Sequence, residues 1–187
     1  YSDYMVPKNK PARTLIYDKI KVAANGKCPF CAGIGHVRTL DHYLPKAKYP
    51  EFSILPSNLV PSCRDCNMGA KGASITANIG EQFLHPYFDA HHFFDEQWVF
   101  GTTSVQEPVD CTYGVIAPQN WNSDDQQRVE RHFKSFDLGY RFQLEASDEI
   151  SSVINSRKGT LNQLSPNDFK SHLLDGASDS HLIINHW

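Results

Sequence analysis

Cys28-Pro29-Phe30-Cys31, then Thr39-Leu40-Asp41-His42-Tyr43-Leu44-Pro45-Lys46, then Pro56-Ser57-Asn58-Leu59-Val60-Pro61, then Cys63-Arg64-Asp65-Cys66-Asn67 follow one another within residues 27–72. The two Cys-x-x-Cys pairs decide how this stretch folds. Each pair bends so that its sulfurs converge, and two pairs supply the four-thiolate tetrahedron that Zn²⁺ prefers. With every position taken by sulfur, no coordination site is open to water or substrate, so such a zinc is structural. Its binding energy serves as folding energy for a segment dense in Cys, Gly, Pro and Asn and too poor in apolar residues to fold unaided. The competing readings are four unrelated buried cysteines or a redox Cys-x-x-Cys, and the twin spacing disfavours both. A fifth cysteine, Cys111, stands alone and reads as a buried apolar residue.

Between the pairs lie residue types suited to phosphodiester hydrolysis, which needs an activated water, a cation near the scissile phosphate, and positioning. A neutral imidazole such as His42 can take a proton from water near pH 7. A divalent ion held by only two protein groups keeps positions open for phosphate oxygen and water. Asp41 and His42 are neighbours, and neighbours on a strand point to opposite faces. They can serve one site only where the strand end twists or bulges. Taken alone, Asp41-His42 is equally an ordinary exposed pair.

The ordered set Asp41-His42, Asn58-Leu59 and Cys66-Asn67, interleaved with the cysteine pairs and followed by Lys71, resembles the HNH endonuclease family over roughly residues 27–72. The resemblance implies an α+β protein whose zinc-stapled ββα-metal (HNH) module is a β-hairpin and a helix clasping one catalytic divalent ion. It implies His42 as general base at the end of the first strand and Asp41 as a metal ligand pointing the other way. Asn58 would brace the loop and help orient His42, and Asn67 would be the second ligand. The commonest family pattern has His at that last position. The Asn67 form is similar to a variant in a phage junction-resolving endonuclease that also carries two Cys-x-x-Cys pairs. Asn is a hard oxygen ligand, which favours Mg²⁺ at the catalytic site over a tightly held transition metal, with another divalent cation as the alternative. Lys46 and Lys71 are the phosphate-binding candidates among the cations around the motif (Arg38, Lys48 and Arg64 are the others), and all of them read equally well as solvated surface. His85 either supplements the metal site or is a satisfied structural histidine beside Pro86, and His36 reads as a strand residue.

Outward from this stretch, residues 11–24 read as a helix, with Pro11 in its first turn, Ile16 and Ile20 on one face, and Asn25-Gly26 as its stop. Segments around Trp98-Val99-Phe100 and Tyr113-Gly114-Val115-Ile116 read as short strands. Ser123, followed by Asp124 and Asp125, predicts a helix N-cap, with Val129, Phe133 and Phe136 at helical spacing. A second helix is predicted from Ser147 to Arg157-Lys158-Gly159, and a third from Ser165-Pro166 to near Gly176. Phe93, Phe94, Trp98 and Trp121 read as core. The domain reading is an N-terminal helical segment (1–26), a zinc-bound nuclease module (27–94), and a strand-then-helix region (95–187) suited to binding a partner.

Residues 1–72 hold 11 Lys/Arg against 5 Asp/Glu, and the rest hold 7 against 16. That division fits a phosphate-binding face on an acidic body, and scattered charge fits it as well. No run approaches the roughly 20 apolar residues of a membrane span, so the chain reads as cytoplasmic with no membrane partner. Its start at Tyr1 and its apolar close, Ile183-Ile184-Asn185-His186-Trp187, read as a trimmed piece from which targeting signals are missing. The function expected is a metal-dependent DNA endonuclease. The partners expected are DNA and, from the resemblance alone, a protein such as the ATPase subunit of a phage-defence or restriction system. The alternative is a catalytically inactive zinc-ribbon module that binds nucleic acid or protein.

Overall fold

A computed structural model describes residues 1–73, 75–104 and 106–177, so the apolar close at 183–187 lies outside the described residues. The chain is helical from Pro11, through a π-helical stretch Arg13–Tyr17 into helix α1, Asp18–Ala23. Asn25 and Gly26, both at positive φ (51° and 73°), turn the chain out of the helix. Met5 and Tyr17 of this segment pack with Leu40 and Leu59, which lays it against one face of the following hairpin.

That hairpin pairs strand β1, Thr39–His42, with strand β2, Leu59–Ser62, in antiparallel register from Thr39 opposite Ser62 to His42 opposite Leu59. With only two strands, every residue has a free edge, which is how Pro61 is accommodated inside β2. The long connection 43–58 is shaped by 3₁₀ turns at Pro50–Phe52 and Pro56–Asn58, each begun by a proline whose fixed φ suits the first position. The helical segment Asp65–Lys71 follows β2 directly, wound with the wider π spacing.

Beyond it come the short helix α2, His92–Asp95, and a second hairpin, β3 Val99–Ser104 with β4 Asp110–Val115. Helices α3 (Ser123–Ser135), α4 (Leu138–Lys158) and α5 (Pro166–Ala177) complete the described chain. The whole is α+β, mixed helix with small antiparallel sheets, carrying a cysteine cluster. No helix among the described residues is long and apolar enough to cross a membrane.

Three details differ from the sequence-based expectation. The cap of α3 is Asn122, whose side chain accepts from the Asp125 amide at 2.9 Å, and Ser123 is the first helical residue. Helix α4 starts nine residues before Ser147, because Asp137 takes a left-handed conformation (φ 52°) that turns the chain sharply after Phe136. Phe94 is exposed, while Phe93, Trp98 and Trp121 are buried as expected. One cluster of buried side chains gathers the four cysteines, Phe30 and Phe83 with Trp98, Val129, Phe136, Leu138 and Phe142, so packing runs continuously across residue 94.

Candidate metal centre and hairpin site

Cys28, Cys31, Cys63 and Cys66 are all buried, and their sulfurs lie within 4.8 Å of one another. A regular ZnS₄ tetrahedron with Zn–S of about 2.3 Å has edges of about 3.8 Å, and the Cys31 and Cys63 sulfurs are 4.0 Å apart. The donor set therefore fits Zn²⁺. No disulfide links any pair.

The sequence folds into this cradle for local reasons. Ala32 and Gly33 take positive φ (47° and 91°) to reverse the first knuckle, and the Gly35 amide donates to the Cys31 sulfur at 3.2 Å. A Cβ at Gly35 would sit 2.5 Å from both Cβ and Sγ of Cys63, so only glycine lets the two knuckles close. From the other side, the Arg141 guanidinium of α4 reaches the sulfurs of Cys66 (3.4 Å) and Cys63 (3.9 Å). Donors of this kind orient and stabilise thiolates around a metal. Hydrogen bonding to Cys28, then to Cys31 and Cys66, holds the Cys63 thiol far below its ordinary pKa. Nothing in the sequence near Arg141 signals this role.

The cluster anchors both ends of a second set of side chains. Thr39 and Asp41 share one face of β1, and the helical segment 65–71 lies against that face. There the Asn67 amide donates to the Thr39 hydroxyl at 2.8 Å. Four residues on, the Lys71 ammonium lies 2.9 Å from Asp41 Oδ2 and donates to the His42 carbonyl at 2.9 Å. Lys71, a candidate for the phosphate surface in the sequence, is instead one of the most buried residues, 2% exposed. Its ammonium lies off the hydrogen-bonding direction of Oδ2, which has no hydrogen-bond partner. Burial pushes the Asp41 carboxyl above its ordinary pKa against the pull of Lys71.

His42 occupies the last position of β1. Its Nε2 donates to the Ser53 carbonyl at 2.9 Å, a tautomer that follows from the acceptor being a carbonyl. Nδ1 then keeps its lone pair, with no hydrogen-bond partner among the described residues. Burial lowers the His42 pKa, with the Ser53 carbonyl pulling the other way, so the ring is neutral at pH 7. The edge of Tyr1 packs on this ring, centroids 4.4 Å apart, and exposed Lys46 lies over Tyr1 at 5.5 Å.

Asn58 is buried and fully bonded: Oδ1 accepts from the Leu44 amide (2.7 Å) and Nδ2 donates to the carbonyls of Leu44 and Phe52 (both 3.1 Å). It thereby pins the residue before Ser53, the partner of His42. His85 is buried beside Tyr43, ring centroids 4.2 Å apart, and its Nδ1 accepts from the Tyr87 amide at 3.1 Å. The His85 amide donates to Asp89 at 2.6 Å, and Asp89 is paired with buried Arg128 of α3. Arg128 and Asp89 carried no signal in the sequence, yet they fix the segment that holds His85. His36 is bridged to Lys27 at the knuckle and exposed. Cys111 is buried on β4 as expected.

Fold and site together define an α+β protein with a buried four-cysteine cluster able to hold zinc. Over 157 residues the chain is 46% identical to Protein ea31 of Escherichia phage lambda, a match covering 84% of this chain and 53% of that protein. The chain thus spans about half the length of the relative it matches. No family model matches the chain, and no solved structure matches it.

Proposed function

We propose that this chain is a metal-dependent endonuclease of the HNH type that hydrolyses DNA phosphodiester bonds. The observation that carries the reading is the composition of the hairpin end. A buried carboxylate with an unbonded oxygen (Asp41) and an amide side chain (Asn67) lie on one strand face, and a neutral imidazole with a free Nδ1 (His42) closes the same strand.

In this reading His42 removes a proton from water through Nδ1, while Ser53 holds the ring by its other nitrogen. Asn58 keeps the Ser53 loop in place. Asp41 and the oxygen of Asn67 would hold the divalent ion, and hard oxygen donors suit Mg²⁺ better than a softer metal. When bound, that ion supplies positive charge for the scissile phosphate and the leaving oxygen. The cysteine cluster sets Asn67, adjacent to Cys66, against the strand. Lys46 is exposed beside His42 and suits contact with a phosphate.

The position of Lys71 favours a second reading. Its ammonium already meets Asp41, and a protein in which it stays there holds no divalent ion and acts as a zinc-ribbon binding module. Nicking of supercoiled plasmid separates the two. The nuclease reading expects relaxed product with Mg²⁺ or Mn²⁺, none when the catalytic ion is withheld, and at least a hundredfold loss in His42→Ala at unchanged zinc content. DNA binding without nicking under any divalent ion would establish the second reading.

A further inference from the structure

A cleft of about 270 Å³ opens beside the loop that holds His42, lined by Tyr43, Phe52, Leu55, Asn58, His85 and Phe88. Its surroundings are unlike the interior of the protein. Phe88 is 69% exposed and Phe52 37%, so two phenyl rings with open area border it, Phe52 backed by the stacked Tyr49 (centroids 6.4 Å) and Phe88 by His85 (4.8 Å). His85, by contrast, is 8% exposed. Because its Nδ1 accepts from the Tyr87 amide, the proton of the neutral ring sits on Nε2. That N–H has no hydrogen-bond partner among the described residues, and His85 lines this cleft. Ser57 adds a hydroxyl to the rim. At about 30 Å³ per water, the space holds about nine waters, the scale of one planar ring system and too small for a helix or a strand.

We infer that this cleft receives an unpaired nucleobase of the DNA strand being cut, stacked on Phe88 and Phe52 and hydrogen-bonded by the His85 N–H. The choice of ligand rests on the nuclease reading above. Three observations favour a base over an apolar side chain of a protein. The cleft adjoins the loop that holds His42, since Asn58 both lines it and pins the Phe52 carbonyl next to Ser53, the partner of His42. A lone donor lining the cleft meets the carbonyl or ring nitrogen that every base offers, and would be left unpaired when an aliphatic group excluded water from it, at a cost. Finally, the same connection 43–58 presents Lys46 and Lys48 to solvent, which suits the phosphates on either side of an extruded base. The substrate class is then DNA with a base free of its pair, such as a mismatch, bulge, branch or single strand, because extruding a paired base costs more.

The test uses the His42→Ala chain with its zinc and two oligonucleotides carrying 2-aminopurine, one in a perfect duplex and one at a mismatch. We expect the mismatched probe to bind at least tenfold more tightly, with its fluorescence quenched on binding. We expect the Phe88→Ala and Phe52→Ala substitutions in that background to abolish both preference and quenching. Both phenyl rings are solvent-facing, and zinc content checks that each variant is folded. Equal affinity for the two probes, or a preference untouched by Phe88→Ala, overturns the inference, and an apolar protein segment becomes the better occupant. The two proposals fail separately: quenching without plasmid nicking removes the nuclease and keeps the base cleft, and nicking without quenching does the reverse.

Discussion

Lys71 is the residue on which the site turns. A lysine side chain 1% exposed and a carboxylate side chain 6% exposed, 2.9 Å apart, form a buried ion pair. Removing one partner of such a pair typically costs about 3–5 kcal/mol, because the other charge is stranded. Here Asp41 is already pushed towards its neutral form by burial, so part of that cost is relieved by protonation. A divalent ion at Asp41 must compete with the ammonium or displace it. Lys71→Met should therefore lower the melting temperature of the protein when no catalytic ion is present. Added Mg²⁺ or Mn²⁺ should then raise it more than in the parent chain, with metal affinity higher by about tenfold, the equivalent of ~1.4 kcal/mol of lost competition. Thermal melts across a metal titration read both effects. An identical metal response in the two proteins would mean that Asp41 is not a ligand, and that Lys71 and Asp41 are simply a structural pair.

At the scale of elements, a histidine ring ties helix α3 to the first cysteine knuckle. His132 accepts from the Leu84 amide at Nδ1 (3.2 Å) and donates from Nε2 to the Phe30 carbonyl (2.8 Å), so both nitrogens are used by the neutral form. Burial lowers its pKa to about 4. Above the ordinary histidine value of about 6.5 both folded and unfolded chains carry it neutral, and it adds no pH dependence. As pH falls from there, the unfolded chain takes up the proton and the folded chain does not. Stability drops by about 3 kcal/mol by pH 4 from this group alone. Histidine ring NMR should find the His132 imidazole still neutral at pH 5.5, and urea melts should weaken as the pH falls below about 6.5. A His132 ring that titrates near 6.5 would contradict the buried, doubly bonded arrangement. The same joint explains what could be read in advance. The knuckles and the acidic first turn of α3 are local patterns, written within a few residues, whereas the strand ending in His42 and the bracing by Asn58 are expected only from the resemblance of the ordered motif. The Arg141 contacts with Cys63 and Cys66 and the burial of Lys71 arise from contacts between residues 29 to 78 positions apart, for which no local spacing exists. Lys71 in particular sits where a surface cation belongs by position, and only the strand face opposite it draws it inside.

In the whole molecule, the cysteine cluster lies within the main core, and not at the edge of an appended finger. Cys28, Cys31, Cys63 and Cys66 pack in one cluster with Phe30, Phe136, Leu138 and Phe142, and Trp98 and Trp121 belong to the same cluster. The apparent binding energy of a structural zinc, about 10–16 kcal/mol, matches or exceeds the total stability of an ordinary domain, about 5–15 kcal/mol. Stripping it leaves four sulfurs, two of them facing Arg141, in the middle of the packing that holds α3 and the first half of α4. The second half of α4 and all of α5 contribute no buried residue beyond Ala146, and a 12-residue helix such as α5 is marginal by itself in water. Zinc removal under reducing conditions should therefore unfold the hairpin and α3–α4 together. Zinc release, followed by a colorimetric chelator, and the red shift of tryptophan fluorescence should then coincide in one transition. Hydrogen exchange should show protection lost at Val129, Phe136 and Phe142 at the same chelator concentration as at Leu40 and Val60. If α3 and α4 kept their protection after zinc had left, the metal would be shaping only residues 27–72, and the helices would stand on their own core. The arrangement of Asn67 against Thr39 would then depend on the zinc, while the Phe30–Phe136 stack, centroids 5.3 Å apart, would not.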